Sequence, residues 1–435
     1  MAREYKDSGI EWIGQIPKEW RIGKIKNFYS LQTGFTPDTK NEMYYDEQGA
    51  LWANIADIGR EHYIDDTKKK ISNLYISKYN PNIVPKGSLL YSFKLSVGSV
   101  AIAAKDMYTN EAIAAFIKKD GISLSFLYYS SQVCIIFNAN ENIYGAKILN
   151  QDLINNAIII FPPLLIQQKI ADYLDKVCGE ADEMIALQEK MIEELKAYKQ
   201  SIITEAVTKG LNPNVPMKNS GIDWIGEIPE HWRLEPLKYC FGRRSEKNYP
   251  VKTEERLSLS IDKGVTLYAE KTTNLDRFKD DFTQYQIAYP NDIVLNCMNM
   301  IVGAVGLSNY MGCVSPVYYV IYPSKQDVNP LYYSYLLNIP TIRGVYYSLG
   351  KGIYAIERGE GRVNTCRLKV SYNDFGRLEI PVPPVEEQKA ITQYIQEKCS
   401  EIDSMIAIKQ QKIAELKEYK KSVIYEYVTG KKEVV

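Results

Sequence analysis

PPLLIQQKIADYLDKVCGEADEMIALQEKMIEELKAYKQSIITEAVT, residues Pro162–Thr208, returns as PPVEEQKAITQYIQEKCSEIDSMIAIKQQKIAELKEYKKSVIYEYVT, residues Pro383–Thr429, at a constant offset of 221. Seam positions in the first copy run Leu174, Cys178, Ala181, Ile185, Gln188, Ile192, Leu195 and Ile202. The second runs Ile395, Cys399, Ile402, Ile406, Lys409, Ile413, Leu416 and Val423. Steps of four and three define a heptad seam, with Glu and Lys on the remaining faces. Each copy follows a Pro-Pro pair, opens on a polar turn (Gln167 and Gln168; Glu386, Glu387 and Gln388) and meets Gly210 or Gly430 near its far end, which are helix start and stop signals. A helix of about 45 residues is roughly 65 to 70 Å long and needs a partner along its length. The nearest partner is its own repeat, so the two helices are expected to pair antiparallel about a pseudo-twofold axis. The polar seam positions Gln188 and Lys409 either fix register, face a third protein, or are solvated interruptions.

A second element repeats ahead of each helix. SGIEWIGQIPKEWR at Ser8–Arg21 returns as SGIDWIGEIPEHWR at Ser220–Arg233, while the segments that follow do not match each other. Repeated flanks around unlike inserts describe one frame carrying two different surfaces. The IGxIPxxW element belongs to the frame, because an element that reads sequence would differ between halves. Trp12, Trp20, Trp224 and Trp232 are therefore expected to be packing anchors. The inserts contain short β-rich runs, Ser88–Ser92, Ser99–Ala104, Asp292–Leu295 and Val317–Tyr322, broken by Gly, Pro and Asn. The expected fold is α+β, with two globular mixed α/β domains in tandem, each followed by a long helix. Boundaries fall at residues 1–160 for the first domain, 161–210 for the central helical region, and 211–219 for a turn-rich linker. The second domain spans 220–381 and the C-terminal helical region 382–435.

Composition excludes several classes. Fifty-three Lys plus Arg balance fifty-three Asp plus Glu, so bulk positive charge does not hold nucleic acid here and local distribution must decide. The stretch Arg233–Ile380 holds nineteen basic against fifteen acidic residues, a mild excess. The 34 tyrosines suit both cores and stacking surfaces, and most are expected to fill cores. Seven cysteines without a CxxC pair indicate neither a disulfide framework nor a zinc site. Residues Met1–Lys6 lack an apolar signal core and Pro162 and Pro163 interrupt the most apolar stretch, so no membrane association and a cytoplasmic location are expected. With only His62 and His231, no Gly-rich nucleotide loop and no NPPY or DPPY quartet, enzyme readings are weak. A nuclease pattern can be assembled only loosely from Asp38, Asp66 and Lys68.

The chain resembles the specificity subunit of Type I restriction-modification systems. The resemblance rests on the duplicated IGxIPxxW element, on GFTP at Gly34–Pro37 with WANIAD after it, and on the helix entry with its Pro-Pro pair, Gln and Tyr. It also rests on NDIVLNCMNMIVGAVGLSNYMGCVSPVYYV at Asn291–Val320. It implies a non-catalytic DNA-recognition subunit with two target recognition domains, each reading one half of a bipartite, asymmetric double-stranded DNA site. The implied partners are two methyltransferase subunits docked on the helical regions and, through the complex, restriction and translocase subunits. S-adenosylmethionine, ATP and magnesium would sit in those partners and none in this chain. A metal site is not expected either. A different class remains open: a coiled-coil scaffold whose two domains bind proteins or sugars. A stand-alone nuclease is a third.

Direct readout uses Arg to guanine and Asn or Gln to adenine, with Lys mainly on phosphates. The first insert offers Lys68, Lys69, Lys70 and Lys94 for the DNA backbone, and Asn110, Tyr144 and Lys147 nearer the bases. The second offers Arg243, Arg244, Lys247 and Lys263 for the backbone, and Arg358, Arg362 and Asn364 for bases.

Overall fold

The computed structural model describes residues 3–59, 61–94, 96–118, 123–141, 147–270, 281–353, 357–358, 362–363 and 367–434. Two compact units emerge, one made of Met1–Glu189 with Gln410–Val435, the other of Lys190–Lys409.

In the first unit the IGxIPxxW element is a hairpin, Tyr5–Asp7 against Gln15–Pro17, with Tyr5 opposite Pro17. Strand Arg21–Lys24 then pairs antiparallel with Ile158–Phe161, which places Ile22 opposite Ile160. The whole insert hangs between these two strands. Its main sheet runs in the order Tyr29–Thr33, Ile113–Lys118, Leu89–Ser92, Val100–Ala103, Tyr63–Ile64. The first four strands are antiparallel and the last joins parallel to Val100–Ala103. All four residues of Leu89–Ser92 and of Val100–Ala103 are buried, as expected for strands covered on both faces. They appear within a residue of where β-rich composition placed them.

The second unit repeats this plan with unlike residues. Met217–Asn219 pairs with Glu227–Pro229, and Arg233–Pro236 with Glu379–Val382. Its sheet runs Phe241–Arg244, Tyr318–Pro323, Ile293–Asn296, Val305–Leu307. Both units are therefore α+β, and the four antiparallel strands of each main sheet follow the same order, while the parallel fifth strand of the first has no counterpart among the described residues of the second.

The long helices span Leu164–Lys209 and Val385–Val428. In the first unit Ile170, Leu174 and Cys178 share a core with Val423, Ile424, Tyr427 and Val428. In the second, Ala206 and Val207 share one with Ile391 and Ile395. The start of one helix meets the end of the other in each case, so the pairing is antiparallel. Lys420 Nζ reaches both oxygens of Asp182 at 2.5 and 2.6 Å, and Lys199 Nζ reaches both of Asp403 at 2.7 Å. These four residues are two pairs at the 221 offset, so the duplication is reproduced ion pair by ion pair. Of the seam positions, Leu174, Ala181, Ile192, Ile395 and Ile402 are buried, and Ile185, Leu195, Ile406, Ile413 and Leu416 are half-buried. Gln188 and Lys409 are half-buried in the same seam.

Trp20 and Trp232 are fully buried, whereas Trp12 and Trp224 pack at core edges. Each buried tryptophan sits against the glycine that ends a long helix. A Cβ on Gly430 (φ +73°) would lie 2.6 Å from Pro17 and 3.0 Å from Trp20, and one on Gly210 (φ +76°) 3.2 Å from Trp232. Only glycine combines this left-handed helix end with that approach. The hairpin element thus clasps a helix terminus in each unit, which is why hairpin and helix are duplicated together.

A buried glutamine joins insert to helix in both units. Gln167 Oε1 accepts from the Ser123 N–H at 3.0 Å while its Nε2 donates to the Pro162 carbonyl at 2.8 Å. Gln388 Oε1 accepts from the Asn329 N–H at 2.8 Å, and its Nε2 donates to the carbonyls of Pro383 at 2.8 Å and Asp327 at 2.9 Å. Replacing Gln388 by leucine should leave these buried backbone groups unpaired, at a cost of about 1 to 3 kcal/mol. For a unit of this size, roughly 2 to 4 °C of melting temperature is expected per kcal/mol. An unshifted melting curve would show that the latch contributes nothing.

Candidate nucleic-acid interface

The runs of cations named from the sequence lie on strands, where successive side chains point to opposite faces. In the first unit Lys69 and Lys70 start strand Lys69–Ile71. Lys70 turns to Asp66 at 3.0 Å, Lys69 lies 5.6 Å from the Tyr45 ring, and Lys68 stays exposed beside the strand. Lys147 pairs with Glu141 at 2.5 Å across a short ribbon. Tyr144 lies outside the described residues.

A second group in this unit forms around the GFTP turn. A Cβ on Gly34 would lie 1.7 Å from the Thr109 carbonyl oxygen, so only glycine lets the turn lie against that strand end. Phe35 N–H donates to the same carbonyl at 2.9 Å, and Trp52 Nε1 donates to the Phe35 carbonyl at 2.9 Å. The Thr36 hydroxyl donates to Glu111, which holds that carboxyl below its usual range, with Lys94 adding to the effect. Asn110 Oδ1 accepts from the Ala112 N–H at 3.1 Å. GFTP, Asn110, Glu111 and Lys94 are thus brought together, and a carboxylate such as Glu111 can accept from the cytosine amino group. Beside them Phe35 stacks on Tyr75, and the hydroxyls of Tyr44 and Tyr79 meet at 3.1 Å with Lys78 Nζ 3.2 Å from Tyr44. Thr36 belongs to the GFTP turn already marked in the sequence, whereas Glu111, Tyr44, Tyr79 and Lys78 were not among the residues expected from it. The only available signal was tyrosine spaced four apart on a short helix with lysine between.

In the second unit strand Phe241–Arg244 splits its arginine pair in the same way. Arg244 donates to both oxygens of buried Asp292 at 2.7 and 3.0 Å and lies between Tyr289 and Tyr322. It is committed to bracing the sheet. Arg243, exposed, lies between Tyr319 and Tyr372 at 5.3 and 4.8 Å. Lys247 and Lys263 are exposed. Arg358 and Arg362 face each other across a two-residue ribbon, Glu357–Arg358 against Arg362–Val363. Asn364 lies outside the described residues. In a second pairing Lys351 is opposite Lys369, and Ile353 opposite Arg367.

Asp66 is occupied by Lys70, and Asp38 Oδ1 accepts from the Lys40 N–H, so both carboxylates of the loose nuclease pattern have local partners. Among the described residues no group of three or more His, Cys, Asp or Glu is placed to hold a metal ion. Six cysteines are described, all as free thiols, five of them buried. No helix among the described residues is long and apolar enough to cross a membrane.

Latch, clasp and a common four-strand order around unlike surfaces define an internally duplicated protein of two units. Residues 17–197 match the family model described as Type I restriction modification DNA specificity domain. The Type I restriction enzyme MjaIX specificity subunit of Methanocaldococcus jannaschii is 27% identical over 57% of this chain and 56% of its own length. The putative MjaX specificity subunit of the same organism is 24% identical over 99% of this chain and 98% of its own. A solved structure reported for complex assembly and conformational transition of the type I R-M system has TM-score 0.65 at 14% identity. It covers 95% of this chain and 98% of that one, a likeness of fold. The chain is thus similar to the specificity subunits of Type I restriction-modification systems, in sequence along nearly its whole length and in fold.

Proposed function

We propose that the chain reads a bipartite, asymmetric DNA site with one recognition domain per half-site and carries no chemistry of its own. The observation that carries this reading is the pairing of one four-strand order with two unlike surfaces, each latched by an equivalent glutamine to an equivalent helix. Two different readers on one repeated frame suit two different half-sites. If both enter the major groove on one face of B-DNA, the half-site centres lie about one turn apart, roughly 34 Å or 10 bp. Lys68, Lys69 and Lys94, with Arg243, Lys247 and Lys263, are the backbone candidates. Asn110, Tyr144, Arg358, Arg362 and Asn364 are the base candidates, while Lys70, Lys147 and Arg244 answer first to Asp66, Glu141 and Asp292.

Methyl transfer and cleavage come from partners, with S-adenosylmethionine, ATP and magnesium held there. Support for two docking sites comes from exposed apolar side chains that recur at the 221 offset: Met184 with Met405, Leu187 with Ile408, Tyr198 with Tyr419, between 48% and 67% exposed. Within the second unit Tyr198, Met405 and Ile408 line one shallow groove with Met191 and Leu195. One patch per unit suits one methyltransferase subunit per patch. The chain's balanced charge also favours binding as part of a complex, since affinity from a few phosphate contacts is modest and falls with salt.

Modified-base sequencing of the host with and without the gene tests the reading. One two-part methylated motif should vanish with the gene, and the purified chain alone should neither methylate nor cut. A motif that persists, or activity of the isolated chain, would refute it.

A further inference from the structure

In the second unit several acidic side chains around the sheet are matched to a cation: Asp292 to Arg244, Glu246 to Lys252, Glu235 to Lys325 and Asp327 to Arg233. Arg343 is different. It sits half-buried on helix Pro340–Leu349, and its Nη2 donates to Asn338 Oδ1 at 2.9 Å. Among the described residues no carboxylate pairs with it and its buried Nε has no partner. Burial pulls its affinity for the proton below the usual arginine value, opposed only by the Tyr346 phenol and by no carboxylate. A guanidinium drawn partly out of water without a counter-ion is a standing cost.

The surroundings say what the missing counter-ion is. Gly303, at φ +99°, ends the turn Met300–Val302, and a Cβ there would lie 2.6 Å from Arg343 Nη2. That glycine keeps the turn against the guanidinium. At the other end of the same loop, Cys297 feels the charges of Arg243 and Lys369. Lys369 is opposite Lys351 in the pairing of Lys351–Ile353 with Arg367–Lys369. Arg243, Lys351 and Lys369 also have no carboxylate partner among the described residues. A protein carboxylate would satisfy one of these cations. A polyanion satisfies all of them, and guanidinium and ammonium groups ranged along a loop suit successive phosphates.

We propose that Arg343 is a phosphate-contact residue of the second recognition domain, its counter-ion supplied by the backbone of the bound duplex at the Asn296–Gly303 loop. The proposal rests on the reading that this domain binds DNA. It makes Arg343 a positioning residue that fixes the domain on the duplex without choosing the sequence.

The test uses the chain assembled with its methyltransferase subunits, carrying Arg343→Gln or Arg343→Met, and fluorescence anisotropy on a motif duplex and an unrelated duplex between about 50 and 200 mM salt. Each variant should lose about one unit from the slope of log affinity against log salt. It should weaken both duplexes by a similar factor, roughly tenfold, and leave the methylated motif unchanged. The free Arg343→Met chain should melt no lower than wild type, because a half-buried cation without a counter-ion has been removed. An unchanged salt slope with a lower melting temperature would make Arg343 a structural tie to Asn338 and overturn the proposal. An unchanged slope with weaker subunit assembly would place the counter-ion on a partner protein and overturn it as well. Wild-type complex that bound no duplex would instead sink the underlying reading, a result distinct from either.

Discussion

Exchanging residues 22–160 for the matching segment of a relative is expected to replace one half of the methylated motif and leave the other half and the gap intact. The junctions are set by pairing. Ile22 is opposite Ile160 in the ribbon that closes the domain, so a graft cut there keeps both strands in register and leaves the hairpin clasp untouched. The graft must still present a backbone N–H where Ser123 now donates to Gln167, which any residue but proline provides. Each wrong base pair typically costs about 1 to 3 kcal/mol, roughly additively. Three altered bases therefore shift occupancy by a factor on the order of hundreds to millions at the old motif, enough for a complete switch in modified-base sequencing. A graft that altered both halves together would mean that the two domains do not read independently. One that altered the gap would mean that the insert, and not the helical frame, sets the spacing.

The frame was legible in the sequence and the reading surfaces were not, for one physical reason. The seam from Leu174 to Ile202 and its copy are fixed by residues three and four apart, and helix ends by Pro-Pro and by Gly210 and Gly430. All of that is local. Cation placement is not local. The lysine run at 68–70 and the pair Arg243–Arg244 read as continuous patches, but strand geometry sends neighbours to opposite faces, and Asp292 captures Arg244 from 48 residues away. Gln167 and Gln388 read as polar first turns of solvated helices. They are nearly or fully buried, because each must hold a backbone N–H and carbonyl where the domain meets the helix. Their signal was present as duplication: a glutamine kept after both Pro-Pro pairs while Ile166 and Glu387 beside it differ. That difference matters as well. Glu387 accepts from Trp232 Nε1 at 3.0 Å, whereas Trp20 Nε1 is buried without a partner among the described residues.

Glutamate in place of Leu187 and of Ile408 should abolish methylation by the complex while leaving the free chain as stable as wild type. Both side chains are more than half exposed, so removing them takes nothing from the core, and surface changes of this kind are usually within about 0.5 kcal/mol. On a docked face the account reverses. Burying a Leu or Ile side chain contributes about 1.5 to 3 kcal/mol, and an unpaired carboxylate in its place adds a desolvation cost of several kcal/mol. Together these are enough to move a nanomolar contact into the micromolar range or beyond. The duplication sharpens the expectation. Leu187 lies in the first unit and Ile408 in the second, so if each patch docks one methyltransferase subunit as proposed, each single variant should lose one copy and keep the other, giving a one-to-one assembly by native mass spectrometry where the wild type is expected to give two-to-one. Single variants that shed both copies, or neither, would show that the repeated apolar side chains are not two separate docking sites.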